Sequence, residues 1–399
     1  MTRANPLASL NNLYQMQAQL LETTSDTDAN SVFHPELGSL NWWYGYSVYQ
    51  ELYWLREVVM GDNDLSKRVE QLFRPGDLSL VERCAQIPPR KHLLNWAAEI
   101  RDDHLMRLAN PHILAPHPFL EHNRLLWFLV QEQAKNYETM LLVLNQRSLQ
   151  RMDIGYQVVK PINPSAPHWE TKEISQGHYR IGARNRPEAY DNELPPQAVE
   201  LSSYRIALQP VSNSQFLSFM QAGGYVKKKF WTETGWAWQQ TAHIRHPEYW
   251  RQDSAQNWYG IGINGPTDLP PDEPVYGISQ HEALAYAKWV DAQGDELTGA
   301  ILQHEYQWEL AARSSVIKQF GRAWEWCSNS FHPYPAFQPF PDATTSMEDF
   351  TSDRISLRGG SMHTQAILRR PSLRHRAPAE QRYQLSGLRL VFPPRHRWI

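Results

Sequence analysis

GRAWEWCSNSFHPYPAFQPF, residues Gly321–Phe340, decides the fold of this chain, together with LRGGS at Leu357–Ser361 and SGLRLV at Ser386–Val391. The spacing of tryptophans and glycines in these three pieces is more particular than a generic hydrophobic core requires. Around them the sequence alternates short aromatic or β-branched runs with Gly, Asn and Pro turns: HYRIGA, AVELSSYRIAL, ISLRGGS and LSGLRLVF. Two amphipathic stretches, Ser214–Gln221 and His281–Ala292, read as helices among the strands. This texture predicts an α+β domain rich in irregular loop over residues 175–399.

The first 158 residues read differently. Leu40–Val59, His92–Leu108 and Arg124–Leu144 place apolar residues three and four apart, the period of a helix with one buried face. Helices of this length joined by loops suggest an antiparallel four-helix bundle over residues 1–158. Three prolines between Lys160 and Pro167 mark a linker, placed at residues 159–174.

Composition narrows the function classes. The chain has 399 residues, 41% of them hydrophobic and 20% charged, as globular domains with real cores do. A formal net charge of −3 argues against a bulk nucleic-acid binder. Two cysteines, Cys84 and Cys327, exclude a disulfide framework and a Cys-rich zinc site. The N-terminus lacks the apolar core of a signal peptide, and the longest apolar run, Leu125–Val130, is too short to span a bilayer. A cytoplasmic protein is expected, with no membrane and no nucleic acid as partner.

PVSNSQFLSFMQAGGY (Pro210–Tyr225), PVYGISQHEALAYAKW (Pro274–Trp289), LQHEYQWELAAR (Leu302–Arg313), GRAWEW and RGGS together resemble the formylglycine-generating-enzyme family, whose fold is related to C-type lectins. YDNELPPQAVEL (Tyr190–Leu201), GGYVKKKFWTETGWAW (Gly223–Trp238) and YPAFQPF (Tyr334–Phe340) are similar to one branch, the ergothioneine-type sulfoxide synthases. The resemblance implies a DinB-like four-helix bundle followed by a formylglycine-generating-enzyme-like domain. It also implies a non-haem iron centre that joins a thiol to a histidine betaine using oxygen.

In that family three bundle histidines hold the iron, one in a W-H-x-G-H-x-x-W-like motif and two as H-x-x-x-H. Four helical steps return a side chain to nearly the same face, so two imidazoles can share one metal. Here the first motif reads Trp42-Trp43-Tyr44-Gly45-Tyr46, and Tyr46 takes the ligand position. The later helix puts Glu132 and Asn136 at the other two, with Glu138 matching an acidic residue of the family. A phenol, one carboxylate and a neutral amide make a poor iron(II) set. His92, His104, His112, His117 and His122 show no spacing that would replace it. The expectation is no metal at Tyr46, Glu132 and Asn136, whose side chains would instead satisfy one another by hydrogen bonds.

The second domain departs from the family as well. The segment after F-x-P-F, where the synthases often carry a proton-donating tyrosine, is Pro341–Ser346 and has none. Where the family reads R-N-W-D-x-P-x-R, this chain reads Arg374-His375-Arg376-Ala377-Pro378-Ala379-Glu380-Gln381-Arg382, so Ala377 and Gln381 replace the Asp and Arg that hold substrates. No cysteine follows Cys327, so the copper-binding pair of formylglycine generation is also missing. Residues 351–399 carry ten arginines and two acids, which reads as a surface for a small anionic molecule. Arg358, Arg370, Arg374 and Arg389 match arginines of relatives and are expected to tie loops together. Candidate ligand-binding residues are Arg376, Arg382, His375, Gln381, Trp324 and Asp342, and no catalytic residue is assigned.

The reading is a divergent sulfoxide-synthase relative without iron-dependent catalysis, acting as a ligand-binding protein or as partner to a second copy or an active paralogue. No cofactor is expected. The alternatives are an active oxygenase with iron(II) at an altered site, and a lectin-like module for an anionic ligand.

Overall fold

The computed structural model describes residues 5–151, 155–184, 186–340 and 350–395. The chain divides into two compact units. One is Met1–Met152 with Ile263–Gly265 and Gln365–Leu368, the other Asp153–Gly262 with Pro266–Thr364 and Arg369–Ile399.

The first unit is helical: α1 (Pro6–Thr23), the short α2 (Asp26–Asn30), α3 (Leu40–Glu51), the shorter α4 (Asp64–Phe73) and α5 (Leu80–Ala85), α6 (Arg90–Ala109) and α7 (Arg124–Gln150). The long helices α1, α3, α6 and α7 form the bundle, with α7 packed on α1 and α3, and α3 on α6. Each start has a physical cause. The Asn5 carboxamide caps α1, the Ser39 hydroxyl caps α3, and Pro89 precedes α6. Helix α1 was not foreseen, although Leu10, Leu13, Tyr14, Gln17 and Leu21 keep one face buried. Past Glu51 the helix continues as a π-helical segment, Leu52–Val59, whose wider turn changes which residues face the core.

The second unit carries the strands β1 (Thr171–Ile174), β2 (Gly177–Ile181), β3 (Gln197–Leu201), β4 (Tyr204–Ala207), β5 (Trp250–Gln252), β6 (Trp258–Gly262), β7 (Gly265–Asp268), β8 (Ile301–Leu302), β9 (Trp324–Ser330), β10 (Arg354–Arg358), β11 (His375–Pro378), β12 (Ser386–Leu388) and β13 (Leu390–Phe392). Its helices are α8 (Asn213–Gln221), α9 (Glu233–Ala242), α10 (Gln280–Asp291) and α11 (Glu305–Arg313). The stretches read as helical became α8 and α10; α9 and α11 escaped notice. Residues 171–174 were placed in the linker, but they pair with β4 as an edge strand, with Thr171 and Ile174 partly buried and Lys172 and Glu173 exposed.

Two four-stranded sheets organise this unit, in the orders β1-β4-β13-β8 and β11-β10-β9-β12. The three deciding sequence pieces are neighbours in the second sheet. Leu357 pairs with Trp326 and Arg358 with Glu325 on one side of β9, and Gly387 pairs with Glu325 on the other. Glycine is required at 387, where an added Cβ would stand 2.2 Å from the Val275 carbonyl oxygen. Gly359 and Gly360 turn the chain after β10 with φ of 105° and 81°. Trp326 is fully buried and donates its indole N–H to the Ile278 carbonyl.

Candidate functional site

In the first unit α3 supplies Tyr46 and Gln50, one turn apart, and α7 supplies Glu132 and Asn136, also one turn apart. Gln50 connects the other three. Its amide nitrogen donates to Glu132 Oε2 at 3.2 Å and lies 3.3 Å from the Tyr46 hydroxyl. Its oxygen accepts from Asn136 Nδ2 at 2.6 Å. Lys135 Nζ pairs with Glu132 Oε1 at 2.6 Å. Tyr46 stacks on Trp42 with ring centroids 4.9 Å apart. Burial, then the Glu132 charge, push its phenol up to about 12, so it stays protonated.

One residue further along each helix lies a second polar layer. Glu51 is fully buried and accepts from Tyr14 at 2.6 Å, Gln133 at 3.1 Å and Arg101 at 3.2 Å. Buried His104 places Nδ1 3.3 Å from Glu51. Arg56 donates to His104 Nε2 at 3.4 Å. An arginine only donates, so Nε2 is the acceptor and Nδ1 carries the proton toward Glu51. Arg101 also donates to Gln17 and Ser47, both at 2.8 Å, and lies over the rings of Tyr14 and Tyr44. A buried charge of this kind stays only with paired, hydrogen-bonded neighbours, so this layer is structural.

In the second unit the arginines face inward. Arg374 grips Glu305 with two bonds of 2.9 and 2.8 Å, and Arg358 bridges Glu305 and Glu309 at 2.9 and 3.0 Å. Arg389 forks onto Glu325, and Arg370 onto Glu193. These four tie loops together, as the sequence suggested. Arg382 behaves the same way. Nε reaches Glu282 and Nη1 reaches Glu248, each at 2.9 Å, and Nη2 binds the His246 carbonyl. Protein groups therefore engage every nitrogen of Arg382, leaving no fork for a ligand anion.

The other candidates fall at several places. Trp324 and His375 come together, with ring centroids 4.7 Å apart, and His375 Nε2 lies 2.8 Å from Gln384 Nε2. Arg376 follows on β11 and so points to the opposite face, near the Phe331 ring. Ala377 is buried opposite Ile355. The Gln381 side-chain oxygen is buried without a hydrogen-bond partner. Asp342, the 341–346 segment and Arg397 lie outside the described residues. Cys327 is fully buried, and desolvation holds its thiol well above the usual range, which suits a core residue rather than a nucleophile.

Comparison with known proteins matches this architecture. The family model "Sulfatase-modifying factor enzyme 1-like domain" covers residues 162–320. The chain is 27% identical over 307 residues to hercynine oxygenase of Mycolicibacterium thermoresistibile, spanning 66% of this chain and 68% of that protein. It is 28% identical over 309 residues to hercynine oxygenase of Mycolicibacterium smegmatis, 66% of this chain and 70% of that one. In sequence this chain is thus similar to the hercynine oxygenases over about two thirds of its length. Its second unit also resembles the formylglycine-generating enzyme of Thermomonospora curvata, at 32% identity over 158 residues, 36% of this chain and 48% of that protein.

The resemblance read from the sequence implies an iron centre at positions 46, 132 and 136, and the donors there do not fit it. The phenol is held protonated beside a carboxylate, the Asn136 amide is engaged by Gln50, and Glu132 is paired with Lys135. Ferrous sites of this class need imidazole, and none stands in the cluster. His92, His112 and His122 are exposed, while His104 belongs to the Glu51 layer. Among the described residues no group of three or more His, Cys, Asp or Glu side chains is placed to hold a metal ion. Sequence reasoning missed Gln50, yet Gln50 lies four residues after Tyr46, as Asn136 lies four after Glu132.

Proposed function

We propose that this chain is a member of the hercynine-oxygenase-like family that does not carry out iron-dependent sulfoxide synthesis and acts as a ligand-binding or partner protein. The observation that supports the reading is the Gln50 bridge joining Tyr46, Glu132 and Asn136. A glutamine at the centre of the cluster occupies the hydrogen-bonding directions that three imidazoles would otherwise turn toward a metal. The lost Asp and Arg anchors, replaced by Ala377 and Gln381, point the same way. A cytoplasmic location is part of this reading, in keeping with two buried, unpaired cysteines.

The test is anaerobic loading with iron(II), desalting and metal analysis, followed by oxygen-uptake measurements with hercynine and thiols. Iron well below one equivalent, with uptake at the blank rate, is expected. Near-stoichiometric iron that disappears in Glu132→Ala would overturn the proposal and favour an oxygenase with an altered site.

A further inference from the structure

Arg205, on β4, is 8% exposed and differs from the other buried arginines of the second unit. Arg358, Arg370, Arg374 and Arg389 each hold a carboxylate. Among the described residues no carboxylate oxygen lies within ion-pair distance of Arg205. Its Nε donates to the Pro393 carbonyl at 2.8 Å and its Nη2 to the Glu296 carbonyl at 3.1 Å, its guanidinium lies 5.3 Å from the Phe392 ring centre, and Nη1 has no acceptor among the described residues. Burial, and then the nearby charge of Arg395, lower its pKa. A guanidinium does not deprotonate in a protein, so this charge calls for an anion.

Arg205 lines a cleft of about 160 Å³, a volume suited to one small organic molecule. Trp169, Leu297 and Phe392 also line it. Trp169 is 9% exposed, and among the described residues its indole N–H has no acceptor. The indole N–H is the costly donor of the two, while Arg205 Nη1 is not sealed from solvent and is open to a ligand. Asp295 and Glu296 line the same cleft and are exposed. Two carboxylates there disfavour a multiply charged anion and favour a molecule with a positive group of its own.

We propose that this cleft binds a small zwitterion, its carboxylate on the Arg205 guanidinium, its body against the wall formed by the packed rings of Trp169 and Phe392, whose centroids are 6.1 Å apart, and its cationic group toward Asp295 and Glu296. Aromatic faces beside a cation add to the attraction. The site lies within the second unit and is independent of the iron question.

Calorimetric titration of the full chain with glycine betaine, acetate and inorganic phosphate tests it. Saturable betaine binding is expected, with acetate at least several-fold weaker and phosphate weaker still. Arg205→Gln should weaken betaine at least tenfold. Thr171→Phe, which fills the cleft and keeps the arginine, should do the same and carries the test if Arg205→Gln fails to fold. Asp295→Asn with Glu296→Gln should weaken betaine and leave acetate unchanged. No saturable betaine binding, affinity unchanged in Thr171→Phe, or phosphate binding more tightly than betaine would each overturn the proposal.

Discussion

Replacing Gln50 by leucine removes one donor and one acceptor from the bundle at nearly constant volume. The native side chain bonds Glu132 at 3.2 Å and Asn136 at 2.6 Å. After substitution Glu132 keeps Lys135, so its charge stays paired. The Asn136 amide, in a residue 4% exposed, loses its acceptor. An unsatisfied buried donor costs about 1–3 kcal/mol, and a lost hydrogen bond to a charged group about 1.5–3 kcal/mol. Leucine returns about 1–2 kcal/mol of apolar burial, leaving a net loss of about 0.5–5 kcal/mol, centred on about 3 kcal/mol. Asn136→Leu strands the Gln50 oxygen and should cost about 1–3 kcal/mol. The double variant removes both partners, so its cost should fall short of the sum by about 1–2 kcal/mol. Tyr46→Phe removes one long contact of 3.3 Å and should cost under about 1 kcal/mol. Native-state hydrogen exchange of α3 and α7 amides reads this unit locally. An additive cycle, or Tyr46→Phe as costly as Gln50→Leu, would refute the central place given to Gln50.

Three further outcomes follow from the second unit. Arg382→Ala strands the fully buried Glu282 and should cost about 3–5 kcal/mol, seen as a lower Tm; a variant as stable as the parent would mean Arg382 is free for a ligand after all. Gly387→Ala drives a methyl into the Val275 carbonyl, so soluble protein should fall sharply, whereas alanine at open Gly265 should reduce it less, through its φ of 103° alone; equal yields would contradict the packing. Acid should act in two windows. Desolvation lowers the His363 imidazole to about 4 from 6.5, so stability present above pH 6.5 declines by about 3 kcal/mol as pH falls toward 4. Burial raises the Glu305 carboxyl, but Arg374 and Arg358 outweigh it and hold it at about 2 against an ordinary 4.5. Its contribution, about 3 kcal/mol, is present above pH 4.5 and lost toward pH 2. A Tm that stays flat from pH 7 to 3 would sink both assignments.

Long periodic helices and the W-E-W, RGGS and SGL pieces were legible because each carries its cause locally. α6 and α7 follow from apolar spacing, whereas the need for glycine at 387 comes from the distant Val275 carbonyl and shows only in the structure. Helix α1 was harder, since its buried face includes polar Gln17, whose partner Gln133 lies 116 residues away. Thr171–Ile174 read as linker because an edge strand with half-exposed residues has no strong pattern. At the site, sequence spacing located Tyr46, Glu132 and Asn136 but could not show what joins them. Arg382 was ambiguous for the same reason: an arginine beside a lost anchor can serve a ligand or a carboxylate, and Glu282 is 100 residues distant.

The two polar layers of the bundle explain how the scaffold persists with its family ligand positions changed. Gln50 and Glu51 are adjacent in α3, and Glu132 and Gln133 are adjacent in α7, yet each pair serves a different layer. In the Glu51 layer Arg101 matches the carboxylate charge and His104 donates to it from α6, while Tyr14 and Gln17 join from α1. It ties together all four long helices without any contribution from position 46, 132 or 136. Those positions could therefore change while the bundle kept its registry, provided that the new groups found partners. Gln50 and Lys135 are those partners. Returning histidine to 46, 132 and 136 alone would leave the Gln50 amide and the Lys135 ammonium facing imidazoles instead of Glu132 and Asn136. The ammonium would then repel an incoming dication. On the proposed reading, recovering a metal site would call for changes at Gln50 and Lys135 as well as at the three ligand positions.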